Sequence, residues 1–229
     1  MNLIRRLHEA PVTMGLIAVN LLVYLIMAAA SGRLVSFDQS TLVAAGASGA
    51  GLDLAHWRWL TAAFIHVNLL HIFMNLWVLA QIGVISERAL GRGLFAATYV
   101  VTGTLGNVLS SVHAAASSVP QISAGASGAI MGLIGMATIF AWFSGQRAVA
   151  RSLAFNILFV LGVGLSLSAR GVGLVDNAAH IGGLIAGALV GLARVRVPRP
   201  APRWLDVALI ASSAALAAMA FAVVQLSGS

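Results

Sequence analysis

The stretch SAGASGAIMGLIG (residues 123–135) places a serine, Ser127, inside a run of small and apolar residues. Gly128 and Gly132 follow it four residues apart, and such pairs of small residues let two helices approach closely in lipid. The pentapeptide GASGA that contains Ser127 also occurs at 46–50. The letters alone therefore do not say which copy has a function, and the context of each copy has to decide.

A second stretch, NAAHIGGLIAG (177–187), contains a matching pattern around a histidine. Gly183, Gly187 and Gly191 follow His180 by three, seven and eleven residues, so they lie on its helix face. This pattern predicts a helix that packs through glycines against the helix of the first stretch. Such packing would bring the histidine within hydrogen-bond reach of the serine, as base-activated nucleophiles require.

The composition indicates that lipid is the solvent for most of this chain. Of its 229 residues, 60% are hydrophobic and 8% are charged, whereas soluble domains carry about 25% charged residues. No cysteine is present, which excludes disulfides, thiolate metal sites and cysteine nucleophiles. The net charge of +7 is explained by a membrane without invoking nucleic acid, because no basic run is interleaved with aromatic residues.

Seven apolar runs approach the ~20 residues that a membrane-spanning helix needs. We therefore expect an all-α, polytopic membrane helix bundle. The predicted spans are Val12–Ala30, Leu69–Ser86, Gly93–Val112, Ser123–Phe143, Ala150–Ser168, Asn177–Ala193 and Trp204–Leu226.

The basic residues, all of them arginines, orient these spans. With the N-terminus in the cytoplasm, ten arginines fall in inside segments and three in outside segments, as the positive-inside rule requires. The C-terminus is then external, as is the long first loop at 31–68. The domain prediction is a core at 1–193, an Arg/Pro-rich cytoplasmic linker at 194–203 and an additional helix at 204–229.

Polar side chains inside three of these spans are predicted to share one layer. His71 with Asn75, Ser127 and His180 each lie near the start of a span that runs from outside to inside. With span starts at Asn68, Ser123 and Asp176, each lies ~5–6 Å below the start at 1.5 Å rise per residue. Polar groups within spans are costly and indicate function.

His71 and Asn75 share a helix face because they are four residues apart. We place His66 in the loop before that helix, near the site. Each residue also has an ordinary structural explanation, since a serine in a membrane helix often bonds to its own i−4 carbonyl. The hypothesis of a site depends on the combination.

At these residues the sequence resembles the rhomboid family of intramembrane serine proteases. The resemblance implies a six-helix core plus one C-terminal transmembrane helix. It implies Ser127 as nucleophile, His180 as general base, and an oxyanion hole at His71, Asn75 and the Ser127 N–H, with no metal or cofactor. The matching pieces are HWRWLTAAFIHVNLLHIFMN (56–75), ERALG (87–91), GASGAIMGLIG (125–135) and NAAHIGGLIAG (177–187).

Four further residues bear on this hypothesis. Gly128 is expected to remove bulk beside the attacked carbonyl, and Gly125 to leave the N-terminal side of the nucleophile open. Met131 stands where many family members carry an aromatic residue beside the catalytic histidine. Asp176, one turn before His180, is expected to cap the helix and not to form a triad.

The substrate implied is a membrane-spanning segment that unwinds locally and enters beside the fifth span, in a bacterial plasma membrane. The glycine-rich segment at 169–176 is expected to cover the site as a mobile cap. Oligomeric state stays open. The alternatives are a catalytically inactive rhomboid-like protein that binds membrane helices, and a small transporter or channel, which predicts polar residues at the bilayer midplane.

Overall fold

The computed structural model describes residues 7–49, 56–117, 122–170, 175–196 and 202–227. Long helices dominate this part of the chain. The helices are α1 (Pro11–Ser31), α2 (Gln39–Ala45), α3 (Arg58–Thr61) with a 3₁₀ turn at Ala62–Phe64, α4 (Leu69–Leu90), α5 (Arg92–Ser117), α6 (Ser127–Phe143), α7 (Arg147–Ala169), α8 (Asn177–Arg196) and α9 (Arg203–Ser227). Two short strands, β1 (Ser48–Gly49) and β2 (Ile122–Ser123), pair antiparallel.

The predicted polytopic bundle is confirmed, but its helices differ in how apolar they are. Five of the described helices are long and apolar enough to cross a membrane, namely α1, α4, α7, α8 and α9. The remaining two predicted spans correspond to α6, which has 17 residues, and to α5. Both pack against several other helices, so they need fewer lipid-facing apolar residues than an isolated span.

The start of α6 differs from the prediction. The helix was expected to begin at Ser123, but that residue lies in β2 and the helix begins at Ser127. Gly125, at φ +141°, interrupts the chain between the two elements in a conformation that favours glycine. Ser127 is therefore the first helical residue and does not lie a turn below the helix start.

The predicted glycine seam between α6 and α8 is confirmed. A Cβ added to Gly183 would overlap the Gly128 carbonyl, and one added to Gly187 would overlap the Gly132 carbonyl. The contact continues downwards, where a Cβ on Gly191 would lie 2.8 Å from the Met136 carbonyl oxygen. The two backbones therefore touch directly. We call the end of the bundle at which α4, α6 and α8 begin the upper end.

The neighbours of Ser48 in the first GASGA copy are glycine and alanine, a composition typical of flexible loops, but the structure holds this segment in place. Ser48 pairs with Ser123 across the two-stranded sheet and is fully buried. Arg58 of α3 donates from Nη1 to the Val43 carbonyl at 2.6 Å and to the Ala47 carbonyl at 3.1 Å. The loop backbone is thus held by hydrogen bonds, as buried peptide groups require.

A buried carboxylate joins α1 to α4 at the lower end. Glu87 accepts hydrogen bonds from the backbone N–H of Val12 and Thr13 at 3.1 and 2.8 Å, and from the Thr13 hydroxyl at 2.8 Å. Those N–H groups lie in the first turn of α1, where the helix itself leaves them unpaired. Similarly, Asp206 of α9 accepts from the Gly93 N–H at the start of α5.

Replacing a glycine by alanine should affect stability differently inside and outside the seam. Gly187→Ala should lower the stability by about 1–3 kcal/mol, because the new methyl group forces two packed backbones apart. Gly15→Ala, on a part of α1 with nothing within 4 Å, should leave stability unchanged or raise it by up to about 1 kcal/mol, since alanine favours helix. Thermal unfolding in detergent measures both. Equal unfolding temperatures for the two variants would contradict direct backbone contact.

Candidate functional site

A cavity of about 540 Å³ opens at the upper end among α4, α6, α7 and α8. The polar side chains predicted to form the site share this cavity with apolar residues of α6 and α7. Its lining includes Ser127, His180, His71, Asn75 and Met131. The structure thus brings together, from three helices, side chains that are far apart in sequence.

Ser127 opens α6 at the edge of this cavity. Its own N–H belongs to the first turn, whose N–H groups have no partner within the helix. The preceding segment is anchored to the first loop, because the Gly125 N–H donates to the Ala62 carbonyl at 2.9 Å. A Cβ on Gly125 would lie 2.8 Å from His71 Cε1 and 3.6 Å from Ser127 Oγ. Glycine is therefore required here both by the backbone angle and by the approach of His71.

His180 lies in the first turn of α8 and is buried. The preceding Asp176 caps this helix, since its Oδ1 accepts from the Ala179 N–H at 2.9 Å. Among the described residues, no hydrogen bond links the Asp176 carboxylate to the imidazole, and His180 Nδ1 has no hydrogen-bond partner. The capping role predicted for Asp176 is confirmed, and the geometry gives no support to a triad.

His71 and Asn75 face the cavity from successive turns of α4. Asn68 caps this helix by accepting the His71 N–H at 2.7 Å, which fixes the start of the first turn. One amide N–H of Asn75 donates to the His71 carbonyl at 3.1 Å. A carboxamide has two N–H donors, so the second stays available to an oxygen in the cavity.

His66 lies behind the cavity and not on its lining. It is fully buried, and its ring stands edge-on to that of His71 with centroids 5.2 Å apart. Burial, with His71 nearby, lowers the pKa of His66 to about 3, so the ring is neutral. Its Nε2 therefore accepts the Ala126 N–H, at 3.5 Å, and this contact supports the segment before Ser127.

Gly128 and Met131 occupy different surroundings. The Cβ position of Gly128 points at α8, 3.3 Å from the Ala179 carbonyl oxygen, so its small size serves helix packing. Met131 is buried and lines the cavity.

Sequence reasoning missed the polar residues behind the site on α5. Asn107 and Ser110 are buried, and Ser123 of β2 lies beside them. The sequence did contain a signal for them. Asn107 and Ser110 are three residues apart, and polar residues at this spacing share one face of a helix. The predicted mobile cap at 169–176 lies partly outside the described residues, which omit 171–174.

Comparisons with known proteins agree with this architecture. The Rhomboid domain family model matches residues 53–197. The chain is 34% identical over 173 residues to Rhomboid protease GluP of Bacillus subtilis, covering 75% of this chain and 32% of that protein. It is 35% identical over 167 residues to Rhomboid-like protease 2 of Toxoplasma gondii, covering 71% and 56%. It is also 28% identical over 197 residues to Rhomboid protease GlpG of Serratia proteamaculans, covering 81% and 63%.

Each alignment covers less than two thirds of the relative. The matches span about a third of the Bacillus protein and just over half of the Toxoplasma protein. The family model, in contrast, reaches from the first loop to the end of α8 and includes every residue that lines the upper cavity on α4, α6, α7 and α8. The similarity therefore concerns the bundle that holds the site.

Two buried hydroxyl groups of the first loop, those of Ser48 and Thr61, predict different effects on stability when they are removed. The Ser48 hydroxyl is buried and has no hydrogen-bond partner among the described residues. Ser48→Ala should leave stability unchanged or raise it by up to about 1 kcal/mol, because an unpaired buried hydroxyl is lost. The matched variant Thr61→Val removes a hydroxyl that donates to the Gly46 carbonyl at 2.6 Å, and should cost about 1–2 kcal/mol. Unfolding in detergent tests the pair, and a larger loss for Ser48→Ala would contradict the assignment.

Proposed function

The chain belongs to the rhomboid family, and from that premise we propose that it is a serine endopeptidase that cleaves membrane-spanning segments with a dyad of Ser127 and His180. The observation that carries this proposal is the shared cavity. A serine at a helix start, a histidine one turn into a second helix, and a His/Asn pair on a third helix all face the same space.

The proposed reaction has two steps. Ser127 Oγ attacks the carbonyl carbon of the scissile peptide while His180 takes the hydroxyl proton, which gives a tetrahedral oxyanion. The C–N bond breaks as His180 returns that proton to the leaving amine, and an acyl-enzyme remains. Water, deprotonated by His180, then attacks the ester and releases the carboxyl product with the serine restored.

The oxyanion is stabilised by donors that are in place before reaction. They are the Ser127 N–H at the start of α6, the second amide N–H of Asn75 and the His71 ring. Preorganised donors in a site of low dielectric contribute several kcal/mol to lowering the barrier. Asn75 is held by its bond to the His71 carbonyl, so it loses little freedom when the oxyanion forms.

The substrate is proposed to enter beside α7. This helix is packed more loosely than its neighbours, since Ala150 and Gly164 are the only buried ones among its described residues. Phe159, Val160 and Val163 form the apolar wall of the cavity on that side. A substrate helix must unwind to expose a peptide bond to Ser127, which favours segments with small or helix-breaking residues near the cleavage point.

The orientation follows from the arginines, which support a cytoplasmic N-terminus and an external C-terminus in a cell membrane. The upper end with its cavity then faces the outside, and we propose a bacterial plasma membrane. The runner-up, an inactive family member that binds helices, is disfavoured because both Ser127 and His180 are present and share the cavity. A transporter is disfavoured because the polar layer lies at one end of the bundle.

The dyad makes a direct prediction. Ser127→Ala and His180→Ala should each abolish cleavage of a single-span substrate in proteoliposomes, because each removes one half of the proton transfer. Ser48→Ala, the same change in the other GASGA copy, serves as the matched control and should cleave like wild type. If either dyad variant cleaved like wild type, the assignment would be wrong. If wild type neither cleaved nor reacted with a fluorophosphonate, the inactive alternative would be favoured.

The oxyanion hole makes a second prediction. Asn75→Ala should lower kcat about 10²–10³-fold with a small change in KM, since the lost donor acts chiefly on the oxyanion. Asn156→Ala, at an exposed asparagine of α7 outside the cavity, is the control. Steady-state kinetics with the same substrate distinguish the two, and an unchanged kcat for Asn75→Ala would exclude the residue from the hole.

A further inference from the structure

We propose that Asp176 is a positioning residue that sets the axial register of α8 against α6, and thereby the height of His180 relative to Ser127. The inference rests on the proposed function of these two residues. Asp176 already caps α8, because its Oδ1 accepts from the Ala179 N–H. The positioning role is additional to this cap.

The second carboxylate oxygen of Asp176 joins three elements. Oδ2 accepts from the Ser110 hydroxyl of α5 at 2.5 Å and from the Ser123 hydroxyl of β2 at 2.7 Å. Both serines are buried, where a hydrogen bond to a charged or strongly polar partner is stronger than in water. One side chain thus ties the start of α8 to a neighbouring helix and to the strand before the nucleophile.

The spacing of these residues transmits the contact to the dyad. Asp176 precedes His180 by four residues, and Ser123 precedes Ser127 by four. The hydrogen bond between Asp176 and Ser123 therefore links the two segments at equal distances in sequence from the base and from the nucleophile. Within α8, four residues are about one turn, or ~6 Å along the axis.

The seam between α6 and α8 does not determine this register by itself. Gly183 meets the Gly128 carbonyl, and Gly187 meets the Gly132 carbonyl, so the contact repeats every four residues. Sliding α8 by one turn would again place a glycine, Gly183, opposite Gly132. Such a slide would move His180 by ~6 Å relative to Ser127, and the bonds of Asp176 oppose it.

The contact of Asp176 with Ser110 and Ser123 is anchored on the rest of the bundle. The Ser110 hydroxyl ties Asp176 to α5. In turn, α5 is tied to α3 in the first loop, because the Asn107 amide donates to the Trp59 carbonyl at 2.8 Å. Asp176 consequently fixes α8 to the frame that holds the nucleophile segment, and not only to a strand that could move with it.

Three variants separate positioning from capping. Asp176→Ser keeps a good capping residue but is too short to reach Ser110 and Ser123. The double variant Ser110→Ala with Ser123→Ala keeps the carboxylate cap and removes both partners. Asp176→Asn keeps an oxygen for the cap and a polar atom for the serines, so it is the conservative rescue.

The measurement is kcat and KM for one single-span substrate, with thermal unfolding of each variant. Asp176→Ser and the double variant should lose at least about tenfold in kcat with KM within about twofold, because misplacement of reacting groups acts on the chemical step. Asp176→Asn should stay near wild type. Wild-type kcat in either of the first two, or an equal loss in Asp176→Asn, would overturn the proposal, as would a loss that only tracks a lower unfolding temperature.

A distance measurement keeps the test independent of activity. The chain has no cysteine, so spin labels placed at Phe143→Cys on α6 and Val195→Cys on α8, both exposed positions, report the relative height of the two helices. Asp176→Ser should add a second distance population, and an unchanged single distance would overturn the proposal. If wild type failed to cleave while the distances shifted, the proposed function would fail and the positioning role would stand.

Discussion

The direct contact between the backbones of α6 and α8 is the constraint on which the rest of the bundle depends. Lipid offers no hydrophobic force between helices, so association requires close packing over a long contact. Gly128 and Gly132 on one helix, and Gly183 and Gly187 on the other, provide it because a Cβ on either of the α8 glycines would overlap a carbonyl. The paired helices then bring Ser127 and His180 to the same cavity, and the other helices pack around them.

The same bundle has to support a short non-helical segment just before the nucleophile. Peptide groups within a membrane must find partners inside the protein. The Gly125 N–H bonds to the Ala62 carbonyl, and the Ala126 N–H bonds to His66. The first loop is in turn held by Arg58, whose guanidinium donates to two carbonyls. The long loop that precedes α4 is therefore a structural support of the site.

The helix starts show where local sequence is sufficient and where it is not. Asn68 and Asp176 are good capping residues, and α4 and α8 begin directly after them, as predicted. For α6 the apolar pattern extended back to Ser123, but the helix begins four residues later. The left-handed backbone at Gly125 is stabilised by the first loop and by the approach of His71, which no local pattern reveals.

The sequence by itself determined the features that repeat along single helices: the apolar spans, the glycine spacings of the seam, and the position of each polar residue near the start of its span. Helix periodicity is a local property, so these follow from residues close together in the chain. Only the tertiary structure decided that Asp176 meets Ser110 and Ser123, and that Ser48 is buried against Ser123. Such contacts join elements more than fifty residues apart, and they depend on how whole helices are placed relative to one another.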